Sequence, residues 1–89
     1  MKLLYCLECH SVVRLFEQPR ACECGQTGGQ YIDNSKAEIY GDGVPFGIMN
    51  DEFDHAITNR TDDWPGIWFR GFVIPENSDN LVRVDGPGA

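Results

Sequence analysis

The chain places all four of its cysteines within the first 24 residues, as Cys6-Leu7-Glu8-Cys9 and Cys22-Glu23-Cys24-Gly25, and nothing else in the sequence constrains the fold as strongly. Two residues between Cys6 and Cys9 let the backbone curl so that both sulfurs face one point. The second pair is tighter by one residue, and Gly25 lets the chain turn sharply after it. Two close thiol pairs in a short chain read as metal ligands before they read as disulfides, provided the compartment is reducing. Four thiolates at about 2.3 Å saturate one tetrahedral zinc ion. Cys6, Cys9, Cys22 and Cys24 are therefore the expected ligands of one structural zinc, with iron as the alternative metal for the same four thiolates.

Other readings of these residues fit less well. A redox pair at Cys6/Cys9 would sit between a strand and a helix, whereas Ser11-Val12-Val13-Arg14-Leu15-Phe16 is rich in β-branched and aromatic residues and reads as a strand. Cys6-Leu7-Glu8-Cys9-His10 matches a c-type haem attachment motif, but leaves Cys22 and Cys24 unexplained. His10 is expected beside the site rather than in it.

A Cys-x2-Cys knuckle, a strand, then Cys-x-Cys-Gly before a further hairpin resembles the zinc-ribbon group of folds over residues 3–40. The resemblance implies two facing knuckles, with the four cysteines holding a zinc structurally as in rubredoxin-like sites. Cys-x-Cys in place of the commoner second Cys-x2-Cys is a departure that bears on the ribbon subtype. The wider layout, a cysteine unit followed by a short acidic extension, is similar to small uncharacterised proteins of bacterial and phage genomes.

Eighty-nine residues, 42% hydrophobic and 24% charged, are expected to form a single domain near the lower size limit for a self-sufficient core. A metal close to one end therefore matters energetically. Residues 1–40 are read as the ribbon unit, 41–85 as an acidic extension and 86–89 as a frayed tail.

The expected fold is mainly β, a small α+β arrangement. Residues 12–16, 30–33 and 36–40 would make a three-stranded antiparallel sheet, the last two as a hairpin around Asn34-Ser35. Glu17-Gln18-Pro19-Arg20 reads as a turn. Pro45 marks Val44 to Met49 as an edge strand or an irregular segment. Asn50 to Ile57 is the best helix, with Asn50 as its cap and Phe53, Ala56 and Ile57 on one face. Ile67 to Ile74 and Leu81 to Val84 read as a C-terminal hairpin joined by residues 75–80, with Gly71 as a bulge.

Charge narrows the function. Residues 1–36 balance to zero, while residues 37–89 carry ten acidic side chains against Arg60, Arg70 and Arg83, so the whole net charge of -7 lies there. Phosphate binding needs clustered Lys and Arg, so direct nucleic-acid binding is disfavoured and another protein with a basic surface is the expected partner. Arg14, Arg20 and Lys36 are the residues that would have to cluster for the opposite reading.

Asp51, Glu52, Asp54 and His55 are the densest titratable group and read as a solvated helix face. No serine lies in a nucleophile elbow, and the glycines at 25, 28 and 29 are not followed by a phosphate-loop lysine. The chain is read as a non-enzyme. Trp64, Trp68, Phe69 and Phe72 are read mostly as core. Any exposed remainder near Trp64, Trp68, Asp62 and Asp63 would form the partner-binding surface. No signal peptide or membrane span is evident in the first residues, which makes the cytoplasm the expected compartment.

The resulting expectation is a zinc-stabilised interaction module, a regulator or inhibitor of a nucleic-acid-processing enzyme. A nucleic-acid-binding ribbon and a rubredoxin-type iron electron carrier are the alternatives.

Overall fold

A computed structural model describes residues 1–76 and 78–85, so the tail expected at 86–89 lies outside the described residues. The chain is mainly β with one short helix. Its elements are β1 (Lys2–Tyr5), β2 (Val12–Arg14), β3 (Arg20–Ala21), β4 (Gly28–Tyr31), β5 (Ala37–Tyr40), β6 (Val44–Ile48), α1 (Asn50–Thr58), β7 (Gly71–Val73) and β8 (Leu81–Val84). They build two four-stranded sheets, ordered β2-β1-β6-β7 and β3-β4-β5-β8.

The alternation of Leu3-Leu4-Tyr5 and Val12-Val13-Arg14 turns Leu4 and Val13 to one face of the first sheet, where they stand opposite each other. In the second sheet Ala37 and Ile39 turn inward from β5. These four side chains join Cys6, Leu15, Cys22, Ile74 and Leu81 in one buried cluster. Both sheets and two of the cysteines thus share a core.

The expected hairpin around Asn34-Ser35 is present, with Tyr31 opposite Ala37. Asp33 closes it, accepting from the amides of Ser35 at 2.9 Å and Lys36 at 2.7 Å. Both bonds hold the Asp33 carboxyl below its usual range, those from Ser35 most strongly.

Several expectations are corrected. The three-stranded sheet does not form, because β2 pairs with β1 in the first sheet while β4 and β5 lie in the second. Lys2–Tyr5 is a strand in its own right and competes for β2.

The segment at Val44–Ile48 is an interior strand, between β1 and β7. Pro45 is tolerated because its ring nitrogen faces the β7 side, where its carbonyl accepts from Ile74 at 3.0 Å. Only the return bond to Ile74 is missing, and β7 ends there.

The C-terminal hairpin is likewise absent. β7 pairs antiparallel with β6, and β8 runs parallel to β5 in the other sheet. Residues 75–80 carry the chain from one sheet to the other, and Ile74 and Leu81 both enter the core. Gly71 begins β7 rather than bulging it. Ile67 to Phe69 lie outside the ladder, and this segment meets α1: Phe69 packs edge-on against Phe53 at 4.9 Å, and the Arg70 side chain pairs with Glu52 at 2.6 Å.

Asn50 does not cap α1. The N-cap is Met49, with no side-chain cap bond, and the Asn50 carboxamide oxygen instead accepts from the Met1 ammonium at 2.7 Å. Of the expected apolar face only Ala56 is buried, and Ile57 is exposed. No helix of the described residues is long and apolar enough to cross a membrane.

Candidate metal centre

The first knuckle follows β1. The Cys6 amide donates to the Ser11 carbonyl, and the His10 amide donates back to the Cys6 carbonyl, each at 3.0 Å. His10 takes a left-handed backbone, φ 62°, a conformation in which His is among the more frequent non-glycine residues. The second knuckle follows β3 in the same manner: Gly25 donates to the Cys22 carbonyl at 3.1 Å and takes φ 78°. In each knuckle the residue after the second cysteine reverses the chain, so both sulfurs of the pair aim inward.

The two knuckles face each other. All four sulfurs lie within 4.8 Å of one another, with Cys6 Sγ 3.6 Å and Cys22 Sγ 3.5 Å from Cys24 Sγ. A tetrahedron with metal–sulfur bonds of 2.3 Å has sulfur–sulfur edges of about 3.8 Å. A disulfide would need about 2.05 Å, and the four cysteines are free. The donor set and spacing therefore fit a tetrahedral thiolate-bound ion, and zinc and iron would fit the same cage.

Cys6 and Cys22 are buried, Cys9 is half-buried and Cys24 is exposed, so the site lies at the margin of the core. The Cys9 amide donates to Cys6 Sγ at 3.4 Å, and Ser11 Oγ lies 3.1 Å from Cys9 Sγ. The Ser11 hydroxyl and amide, with the Cys24 amide, bring the Cys9 thiol down to about 5. At Cys24 the largest single influence, the Gln26 amide, favours the thiolate. Loss of solvent around the sulfur and bonds to the other three thiols outweigh it and push Cys24 up to about 12.

Cys9 and Cys24 are thus shifted in opposite directions. A divalent cation held between the knuckles would take the place of the thiol protons.

His10 stays outside the quartet, its Nδ1 lying 2.8 Å from the Tyr5 hydroxyl. Asp51, Glu52, Asp54 and His55 form no metal-spaced group; among the described residues only the cysteines do. His55 Nδ1 lies 3.2 Å from Asn59 Nδ2.

The aromatic residues read as core are corrected. Trp64 is 93% and Trp68 82% exposed, while Phe69, Phe72 and Val73 are also exposed. Asp62 and Asp63 are exposed beside Trp64. An apolar run next to an exposed edge strand reads in sequence like a buried strand.

Of the basic residues named for the alternative reading, Arg14 and Arg20 do meet, around a ring that sequence reasoning had not singled out. The Arg14 and Arg20 guanidinium groups lie 4.5 Å and 4.2 Å from the centre of the Phe16 ring. Lys2 Nζ lies 5.4 Å from that of Tyr31. The alternation of basic and aromatic residues in Arg14-Leu15-Phe16 and Arg20 was the available signal.

Comparison with protein families, with curated proteins and with solved structures finds no match to this chain.

Proposed function

We propose that this chain is a non-catalytic, zinc-stabilised protein-interaction module. Its cysteine quartet braces the N-terminal half, and its acidic, aromatic surface docks a basic surface of another protein. The exposure of Trp64 and Trp68 beside Asp62 and Asp63 carries this reading. Large aromatic side chains left in water at a cost of about 2 kcal/mol each are the kind of group that anchors an interface. A nucleic-acid-processing enzyme, with this chain as its regulator or inhibitor, is the partner class most consistent with the charge, because such enzymes present basic surfaces to their substrate.

The test uses the zinc-loaded chain and its Trp64→Ala/Trp68→Ala variant as baits in the native host, with cross-linking and mass spectrometry. A partner captured by the wild type and lost from the variant supports the reading. Capture that is identical for both baits, or no captured partner, overturns it.

The bracketing of Phe16 by Arg14 and Arg20 favours a second reading, a nucleic-acid-binding ribbon, since interleaved basic and aromatic groups suit single strands. Titration of a single-stranded oligonucleotide separates the two. Sub-micromolar affinity with a steep salt slope, lost in Arg14→Ala/Arg20→Ala, would favour the second.

A further inference from the structure

The edges of the two sheets are not alike. β2 carries Arg14, β3 carries Arg20 and β8 carries Arg83, so three edges hold a charge of the kind that discourages strand addition. The fourth edge, β7, is Gly71-Phe72-Val73, uncharged and exposed throughout. Its shortness is a protection, but it carries neither charge nor proline.

The backbone bonds fix which groups are free. Ile74 donates to Pro45 and Met49 donates to Arg70, so residues 70, 72 and 74 turn toward β6. The amides and carbonyls of Gly71 and Val73 turn away from it, to a side where no strand of the described residues lies. The Phe72 ring lies across Gly47, near enough that a Cβ there would come within 2.6 Å of it, and stays half exposed.

The edge lies in the acidic part of the chain, since residues 37–89 sum to -7. Asp62 and Asp63 lie earlier in the connection that leads from α1 into β7, and Arg70 is neutralised by Glu52. Asp51 and Asp54 line a hollow with Met1, Arg14 and Tyr31. An apolar edge in an acidic stretch of chain is the complement of an apolar strand with basic flanks.

We infer that β7 accepts an extended segment of a partner protein as an added strand, with an apolar centre over Phe72 and Val73 and Lys or Arg on its flanks. This rests on the protein-docking reading above and names its mode: main-chain hydrogen bonds to Gly71 and Val73 give affinity, and the negative charge of residues 37–89 gives charge selectivity.

The probe is a random peptide library displayed on phage, selected on the zinc-loaded full-length chain and followed by titration of the selected peptides. Val73→Pro removes an outward amide that makes no bond to β6, and Val73→Lys places a charge on the edge; the second serves if the first fails to fold. Peptides with an apolar centre and basic flanks are expected. Their binding should weaken at high salt and fall at least tenfold in either variant, with zinc content and melting unchanged.

Peptides that bind both variants as tightly as wild type overturn strand addition. If those peptides still require Trp64 and Trp68, the docking reading survives; if they do not, both fall. A library that yields no binders, or only acidic ones, also overturns the inference. So does a self-association that strengthens with salt and is lost in Val73→Lys, which would make a second copy the occupant.

Discussion

The Tyr31 hydroxyl on β4 accepts the Lys2 amide of β1 at 3.1 Å, joining the two sheets through one polar contact. The bond exists because β2 stops early. Leu15 still donates to the Lys2 carbonyl at 3.2 Å, but no backbone carbonyl returns to the Lys2 amide, and Tyr31 supplies the acceptor. Tyr31→Phe leaves a part-buried amide unpaired and should cost about 1–2 kcal/mol. Chemical denaturation measures the loss, and hydrogen exchange should show Lys2 among the amides most affected.

The cysteine cage predicts one zinc per chain by elemental analysis and a colourless protein; an iron centre would colour it. Cys22→Ser places a poorer ligand in a buried position, and should abolish stoichiometric metal and destabilise by about 3 kcal/mol or more. A chain of this size would then melt roughly 15 °C lower or more. An unchanged melting temperature would contradict a structural role for the metal.

Two glycine substitutions should differ for a steric reason. A Cβ at Gly28 would collide with the Arg20 backbone carbonyl and lie 2.7 Å from the Tyr40 hydroxyl. Backbone cannot swing aside, so Gly28→Ala should cost on the order of 3 kcal/mol. A Cβ at Gly47 meets the ring of Phe72, which can turn outward, and Gly47→Ala should cost about 1 kcal/mol. Thermal melts of the pair check the order, and equal losses would contradict it.

Asp33 sets a pH dependence. Its folded carboxyl titrates below the unfolded one, so the stability it contributes is present above the unfolded value near 3.9 and is lost as pH falls through the folded value. Asp33→Ala should melt lower than wild type at neutral pH, and the gap should close in strong acid. A gap that persists there would remove the carboxylate as its cause.

Local chemistry was readable where a local pattern decides the outcome. Cys6, Cys9, Cys22 and Cys24 announced their convergence by spacing, and Asp33-Asn34-Ser35 announced its turn. The partners of β7 and β8 were not readable, because Gly71–Val73 and Leu81–Val84 look like the arms of one hairpin. Their true mates, β6 and β5, were chosen by where Ile74 and Leu81 could both be buried. Pro45 misled for a related reason: a general rule about edges does not say toward which neighbour a missing N–H points. Trp64 and Trp68 were legible only in part, since hydrophobicity favours burial and does not say which large side chains a small core has room for.

The parallel pairing of β8 with β5 also orders events in time. The two knuckles need only residues within 18 positions of each other, from Cys6 to Cys24, and can close while the chain is still emerging from the ribosome. β5 waits from position 37 until position 81 for its outer neighbour, a long loop to close and a slow one. During that interval the flank of the second sheet stands open to any extended chain nearby. A nascent protein with its cysteine end already fixed keeps fewer ways to go wrong while it waits.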